Sequence, residues 1–373
     1  MELAEFVALE NKVLAIAFAL SVIFGAIARR TGFCTMGAVS DVYNMGSWTR
    51  MRVWGMAAGV AMIGFAVMSY LGWIRPLDTI YSAGRMNWLP AVVGGLLFGF
   101  GMVLASGCAH KTLVRIGEGN LKSLVVFVMM AIGAISAMWG FASALHVLTT
   151  NYGSFYIESG NLTPAWIASA FGWDASNIGL VMAIVIGGGL AAWAMSSAKF
   201  RASGDNLLAG LGIGLLIVAM WWVLGHMGYV AEHPDTLDSF YAGTASGSLQ
   251  SFSFTSPIGR TLHLVMMTDL NQQIVLKVGV VTVLGVILGS FLHAILTRSF
   301  QWEGLYGEQD TALHIIGGLC MGVGGVVAGG CTVGQGVSGV STLSGVSFIA
   351  VMGIMLGAIV GLRLQMWLLM RDE

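Results

Sequence analysis

Nine stretches of the chain are apolar almost throughout and have roughly the 20-residue length that a helix needs to cross a bilayer. They lie at 12–30, 53–73, 90–108, 124–148, 178–198, 205–225, 277–297, 311–330 and 345–368. Short Gly-rich segments at 31–46, 108–122, 256–273 and 331–344 are too polar or too brief to cross. The pattern predicts an all-α polytopic membrane protein. It has about nine transmembrane helices and short re-entrant half-helices in a single domain, 1–373.

The composition agrees with a lipid environment. The 373 residues are 57% hydrophobic and 9% charged, with a mean hydropathy of +0.83. Soluble domains carry roughly 25% charged residues, so the lipid bilayer is the expected solvent for most of this surface. The net charge of -1 argues against nucleic acid as a partner.

Lysine and arginine predict the orientation, because they are enriched in cytoplasmic loops. The side reached after the first span carries twelve of them and the other side five. The N-terminus is therefore expected in the periplasm and the C-terminus in the cytoplasm of a bacterial inner-membrane protein. Segments 149–177 and 226–276 are then periplasmic.

An internal repeat is the most informative feature. The sequence GGLLFGFGMVLASGC at 94–108 matches GGLCMGVGGVVAGGC at 317–331 in nine of fifteen positions. Five predicted spans separate the copies, so they should run in opposite directions. Halves of about 1–150 and 178–373 would form an inverted repeat, in which transporters place the substrate path at the interface.

Three of the four cysteines share one setting at the end of an apolar stretch. Each follows a glycine, either directly or two residues later. These pairs are Gly32–Cys34, Gly107–Cys108 and Gly330–Cys331. A short helix beginning at such a turn offers free N–H groups and a positive dipole end. Neutral thiols are weak hydrogen-bonding groups, and weak repeated sites suit conduction. The alternative is that the cysteines are small buried apolar residues, which we expect for Cys320 inside a span.

The segments after the repeat cysteines differ. Lys111 and Arg115 follow Cys108 and either form a mouth or anchor the loop in the cytoplasm. Thr332 and Gln335 follow Cys331 in a hydroxyl- and amide-rich run that suits an oxyanion, or that caps helices locally.

Other polar residues point less clearly to chemistry. Arg30 and Asp41 flank Cys34 and are placed to pair across a short helix. The run Cys108-Ala-His110 is too short for a metal site, and no motif indicates a cofactor. No P-loop or hydrolase signature is present, so the chain is not expected to be an enzyme.

At these residues the chain resembles the YeeE/YedE family of bacterial membrane proteins, whose best understood members take up thiosulfate. The resemblance implies an hourglass-like inverted repeat, and its three functional cysteines map onto Cys34, Cys108 and Cys331. It implies that thiosulfate, or a related small sulfur anion, passes by S–H···S contacts without a covalent step. It also suggests a cytoplasmic TusA-like sulfur carrier protein as partner.

Two alternatives stay open at the level of sequence. The substrate could be another sulfur or selenium species, or the chain could be a membrane thiol sulfurtransferase. The expected absence of paired or base-activated cysteines counts against the second.

Overall fold

The computed structural model describes residues 3–82, 84–157, 160–232, 238–267, 276–304 and 307–371. Within these ranges nine helical stretches are long and apolar enough to cross a membrane. The chain is an all-α polytopic membrane protein, and all nine predicted spans are confirmed as helices.

Sixteen helices follow one another along the described part of the chain. Their bounds are α1 Leu3–Thr31, α2 Thr35–Met45, α3 Thr49–Tyr70, α4 Trp88–Leu104, α5 Ala109–Gly117, α6 Leu121–Trp139, α7 Ser143–Tyr152, α8 Thr163–Phe171, α9 Ala175–Met195, α10 Ala198–Arg201, α11 Gly204–Leu207, α12 Ile213–Trp222, α13 Thr255–Met267, α14 Val278–Leu296, α15 Glu308–Val327 and α16 Gly345–Arg371. π-Helical turns at Leu208–Gly212 and Val223–Met227 extend α12 at both ends, and another occupies Gly334–Gly339.

Short extended pieces tie loops together. Strand β1 (Arg85–Asn87) pairs antiparallel with β2 (Ser154–Tyr156), and β3 (Tyr229–Val230) pairs with β4 (Phe240–Tyr241). These pieces lie partly in the segments predicted to be periplasmic. Residues 158–159, 233–237 and 268–275 of those segments are outside the described residues.

One predicted span ends earlier than expected. The apolar run suggested 124–148, but α6 ends at Trp139 and α7 begins afresh at Ser143. The Gly140 N–H bonds to the Ser136 carbonyl, and Gly140 itself has an extended conformation. A glycine in that conformation stops the helix, and periodicity within an apolar run does not reveal such a stop.

Helices α4 and α15 pack on one another through glycines. A methyl group placed on Gly94 would lie 2.7 Å from the Gly324 carbonyl oxygen. One placed on Gly101 would lie 2.6 Å from the Gly317 oxygen. The numbers of the contacting residues rise along α4 as they fall along α15. The two helices are therefore antiparallel and in main-chain contact.

The next layer repeats the same contacts. Helix α16 packs on α4, and α6 packs on α15. Gly99 faces the Ile354 carbonyl, as Gly322 faces the Met130 carbonyl. Any side chain at either glycine would overlap backbone atoms, so the sequence repeat coincides with a repeat of close contacts.

The outer helices are exposed and the centre is filled by aromatic residues. Val181, Ile184 and Val185 on α9 are more than half exposed, as expected for side chains that face lipid. Phe24, Phe252 and Phe254 are fully buried and pack together with ring centroids 5.1–6.1 Å apart. This cluster lies beside the cysteine turns described next.

Candidate functional site

Cys34 lies at the turn between α1 and α2. Gly32 has a φ of +66°, which a residue with a side chain rarely adopts. Cys34 is then the N-cap of α2, and its Sγ accepts a hydrogen bond from the Gly37 N–H at 3.4 Å. The thiol thus takes the place of the usual capping oxygen at a helix N-terminus.

Cys331 has the same local arrangement after α15. Gly329 has a φ of +72°, and the Cys331 Sγ accepts from the Gly334 N–H at 3.4 Å. The π-helical segment Gly334–Gly339 starts here, and Cys331 is fully buried. In two of the three predicted cysteines the sulfur therefore accepts a backbone N–H at the start of a short helical segment.

In both repeat turns, the residue with a left-handed backbone conformation comes just before the glycine that adjoins the cysteine. Ser106 has a φ of +54°, at the position equivalent to Gly329. Arg115 stabilises this unusual serine because its Nη1 donates to the Ser106 carbonyl at 2.8 Å. Gly107 and Gly330 instead lie between the turn residue and the cysteine, and a Cβ on Gly330 would press against Gln335 at 3.1 Å.

Cys108 is the N-cap of α5 but has a different partner. Its Sγ lies 3.3 Å from Nδ1 of His110, and Nε2 of the same ring lies 3.0 Å from the Phe33 carbonyl oxygen. Because a carbonyl oxygen only accepts, Nε2 carries the ring hydrogen. In the neutral ring Nδ1 is then the acceptor, and Cys108 donates its S–H to it.

The fold brings the three predicted cysteines together. The Cys108 thiol lies beside the Cys34 thiol and the Thr332 hydroxyl, with Cys331 as a further neighbour. Cys320 is half-buried on α15 and packs against Gly101 of α4. Its packing role agrees with expectation.

Sequence reasoning missed that cysteines far apart in the chain are paired in space. Cys34 and Cys108 are neighbours, and Cys108 has a histidine base at hydrogen-bonding distance. The expectation of unpaired thiols without a base is therefore wrong. The adjacent His110 was the only signal in the sequence, and its role depends on Phe33, which is 77 residues away.

Three threonine hydroxyls at this centre are buried and have no hydrogen-bond partner among the described residues. They belong to Thr35, Thr255 and Thr332. Thr35 begins α2 and Thr255 begins α13, so these two hydroxyls occupy corresponding places at short helices. Phe254 precedes Thr255 as Cys34 precedes Thr35, so the third cysteine has no counterpart. An unpaired buried hydroxyl is available to a guest.

Both polar atoms of the Gln335 side chain form hydrogen bonds within the protein. Its Nε2 donates to the Ala328 carbonyl at 2.8 Å, and its Oε1 accepts from the Ser347 hydroxyl at 2.6 Å. The amide thereby links the Cys331 turn to α15 and α16. Tyr81 supports the same turn through a 2.6 Å bond from its hydroxyl to the Gly334 carbonyl.

Two small cavities with several polar lining residues approach the Cys331 turn. One of about 100 Å³ is lined by residues including Tyr81, Asn161 and Gln335, and one of about 70 Å³ by residues including Ser251, Ser253 and Thr282. Both are bordered by Ile80 and Gly329. Because Cys108 and Cys331 have no exposed surface, the thiols are closed off from both cavities in this conformation.

Charged groups cluster near the Cys108 turn. Glu118 lies 2.9 Å from Arg29 and 3.9 Å from Lys111. The expected Arg30–Asp41 pair does not form, because Arg30 pairs with Asp205 and Asp41 with Arg50. Both carboxylates have a cation from another helix within reach, so proximity in sequence gave the wrong partner.

Comparison with known proteins assigns the class. The profile described as "Sulphur transport" matches residues 30–360, so the chain belongs to this family of membrane proteins, the YeeE/YedE family. The chain is 26% identical over 347 residues to the thiosulfate transporter TsuA of Escherichia coli (strain K12), an alignment that spans 90% of each chain. It is 25% identical to TsuA of Spirochaeta thermophila, over 90% of this chain and 94% of that one. A shorter segment, 31% of this chain and 27% of the relative, is 32% identical to the probable transporter YedE of Salmonella typhimurium.

Proposed function

We propose that this protein imports thiosulfate, or a closely related small sulfur anion, along a path lined by Cys34, Cys108 and Cys331. The observation that carries the proposal is the convergence of these cysteines, from three separate turns, around Cys108. Thiosulfate is the first choice because the relatives that align over most of the chain are named thiosulfate transporters.

The chemistry of the turns suits a soft anion. Each thiol is placed at the start of a short helical segment, where N–H groups and the dipole favour negative charge. The unpartnered Thr332 hydroxyl can donate to an oxygen of the guest. Sulfur is polarizable, so S–H···S contacts can hold the sulfur end of thiosulfate weakly, and no covalent step is required.

The orientation and the repeat complete the proposal. The excess of Lys and Arg puts the N-terminus in the periplasm and the C-terminus in the cytoplasm of the inner membrane. The halves 1–150 and 178–373 then form an inverted repeat, with the Cys331 turn approached from the periplasm and the Cys108 turn near the cytoplasm. The equivalent contacts of α4 and α15 support this division.

Net import needs a driving force. Each negative charge that enters a cell with a negative interior is opposed by roughly 2.3 kcal/mol per 100 mV. Rapid removal of sulfur by a cytoplasmic TusA-like carrier protein would supply one. The test is whether adding such a carrier inside vesicles increases thiosulfate uptake.

The main experiment is radiolabelled thiosulfate uptake into liposomes that contain the purified protein. Cys34→Ala, Cys108→Ala and Cys331→Ala should each reduce the initial rate to below about a tenth of wild type. Cys320→Ala is the matched control and should stay near wild type, because Cys320 lies outside the cluster. Competition by sulfite, sulfate and selenium oxyanions identifies the preferred guest.

Two results would contradict the proposal. One is normal uptake by all three cysteine variants. The other is a persulfide on Cys108 after exposure to thiosulfate, detected by mass spectrometry, since it would indicate sulfur transfer instead of passage.

A further inference from the structure

His110 is a fully buried histidine at the centre of the cysteine cluster. Its ring is surrounded by Phe24, Phe33 and Phe254, with centroids 5.4–6.4 Å from its own. Both ring nitrogens have a partner, Cys108 at Nδ1 and the Phe33 carbonyl at Nε2. The ring therefore has one fixed orientation and, when neutral, one tautomer.

This arrangement separates Cys108 from the other two thiols. Cys34 and Cys331 each accept a backbone hydrogen bond at sulfur, and neither has a ring nitrogen at its thiol. Cys108 directs its hydrogen to His110. An anion that reaches Cys108 meets sulfur lone pairs instead of a donor, unless the pair holds one more proton.

No counter-ion stands beside the ring. None of the ion pairs formed by the described residues includes His110. The titratable groups that face it are the Cys34 and Cys108 thiols and the Lys111 ammonium.

The neighbouring helices bring no carboxylate to the ring. Helices α1, α6 and α14 pack against α5. Glu118, just beyond the end of α5, is engaged by Arg29 and Lys111. A charged imidazolium would thus be uncompensated when the site is empty and compensated when a dianion occupies it.

We propose that His110 takes up a proton as the anion arrives at Cys108, so that one proton crosses the membrane with each anion. Cys108 passes its hydrogen to Nδ1 and is reprotonated at sulfur by a hydronium ion from the periplasmic side. Release of the anion to the cytoplasm returns the proton from the pair to water. This inference rests on the proposed function and names the ion that accompanies its substrate.

The stoichiometry can be measured with wild-type protein in liposomes, with the membrane potential clamped by potassium and valinomycin. A pH gradient of one unit, alkaline inside, should raise the thiosulfate accumulation ratio about tenfold if one proton accompanies each anion. A dye enclosed in the vesicles should report one proton entering per thiosulfate.

The variant His110→Gln tests whether His110 is the group that takes up the proton. Glutamine keeps an N–H for the Phe33 carbonyl but cannot hold the extra proton. Thiosulfate accumulation by this variant should no longer respond to the pH gradient. His314→Gln is the matched control, because His314 is also buried but lies on α15 next to Asp310. It should respond to the pH gradient as wild type does.

The outcomes separate the two proposals. Wild-type uptake that ignores the pH gradient, with no proton entry, would overturn the role of His110 and leave thiosulfate transport standing. A His110→Gln variant that keeps the tenfold response would do the same. Folded wild-type protein that takes up no thiosulfate at all would overturn both.

Discussion

Gly99 of α4 and Gly322 of α15 stand in equivalent places, each with its Cα against a backbone carbonyl of the helix beyond. Gly99 faces Ile354 of α16, and Gly322 faces Met130 of α6. The two contacts are related by the same repeat that relates the Cys108 and Cys331 turns.

The first prediction concerns this contact. Gly99→Ala should lower the free energy of unfolding by roughly 1–3 kcal/mol, because the new methyl group has to displace backbone. Thermal unfolding of the purified protein in detergent measures the change. Gly188→Ala on α9 is the control, since nothing lies within 4 Å of its Cβ position. Equal losses in the two variants would contradict main-chain packing as the cause.

The second prediction concerns Gln335. Gln335→Leu leaves the Ala328 carbonyl and the Ser347 hydroxyl unpaired and should cost about 2–4 kcal/mol of stability. Thiosulfate uptake should fall as the Cys331 turn loosens. Gln301→Leu, at an exposed position, should change neither. A stable Gln335→Leu protein that lacks uptake would instead indicate direct contact between the amide and the guest.

The third prediction concerns Glu118, which Arg29 and Lys111 share. Glu118→Gln should cost about 2 kcal/mol, since the side chains of Glu118 and Arg29 are only 22% and 24% exposed. The freed cations should also slow release of the anion, which is seen as slower efflux from loaded vesicles. Asp205→Asn is the control, because the Arg30–Asp205 pair is more than half exposed and should contribute roughly 0.5 kcal/mol. If the two variants lose equal stability, the partial burial of the Glu118 pair has no consequence.

The fourth prediction concerns the spacing of Cys34 and Cys108. Treatment with diamide should join them in a disulfide and stop uptake, and dithiothreitol should restore it. Peptide mass spectrometry identifies the link. Cys331→Ser should still form it, whereas Cys34→Ser should not. A Cys108–Cys331 disulfide in place of the Cys34–Cys108 disulfide would contradict the prediction, because it would make Cys331 the nearer neighbour of Cys108.

The sequence predicted the spans well because apolar length is a local property. It also placed the cysteines correctly at the starts of short helices, since Gly32 and the glycines before Cys108 and Cys331 mark the turns. The residue that adopts the left-handed conformation in the Cys108 turn was harder to predict. Ser106 adopts the left-handed conformation with help from Arg115, nine positions later.

Long-range partners could not be predicted from local pattern. Asp41 binds Arg50 rather than Arg30, and His110 takes its orientation from Phe33 on a different element. The importance of Thr255 depends on its correspondence to Thr35, and the surrounding sequences share little else. These relationships arise only when separate helices meet.

The glycine contacts between α4 and α15 restrict how the protein can work. Two helices that touch main chain to main chain have no side-chain cushion, and a slide of one turn would drive larger residues such as Leu97 into a neighbouring backbone. We therefore expect α4 and α15 to keep their relative positions during turnover. Access to the cysteines from either side would then depend on displacements of the capping turns and of Ile80, and not on one repeat helix sliding along the other.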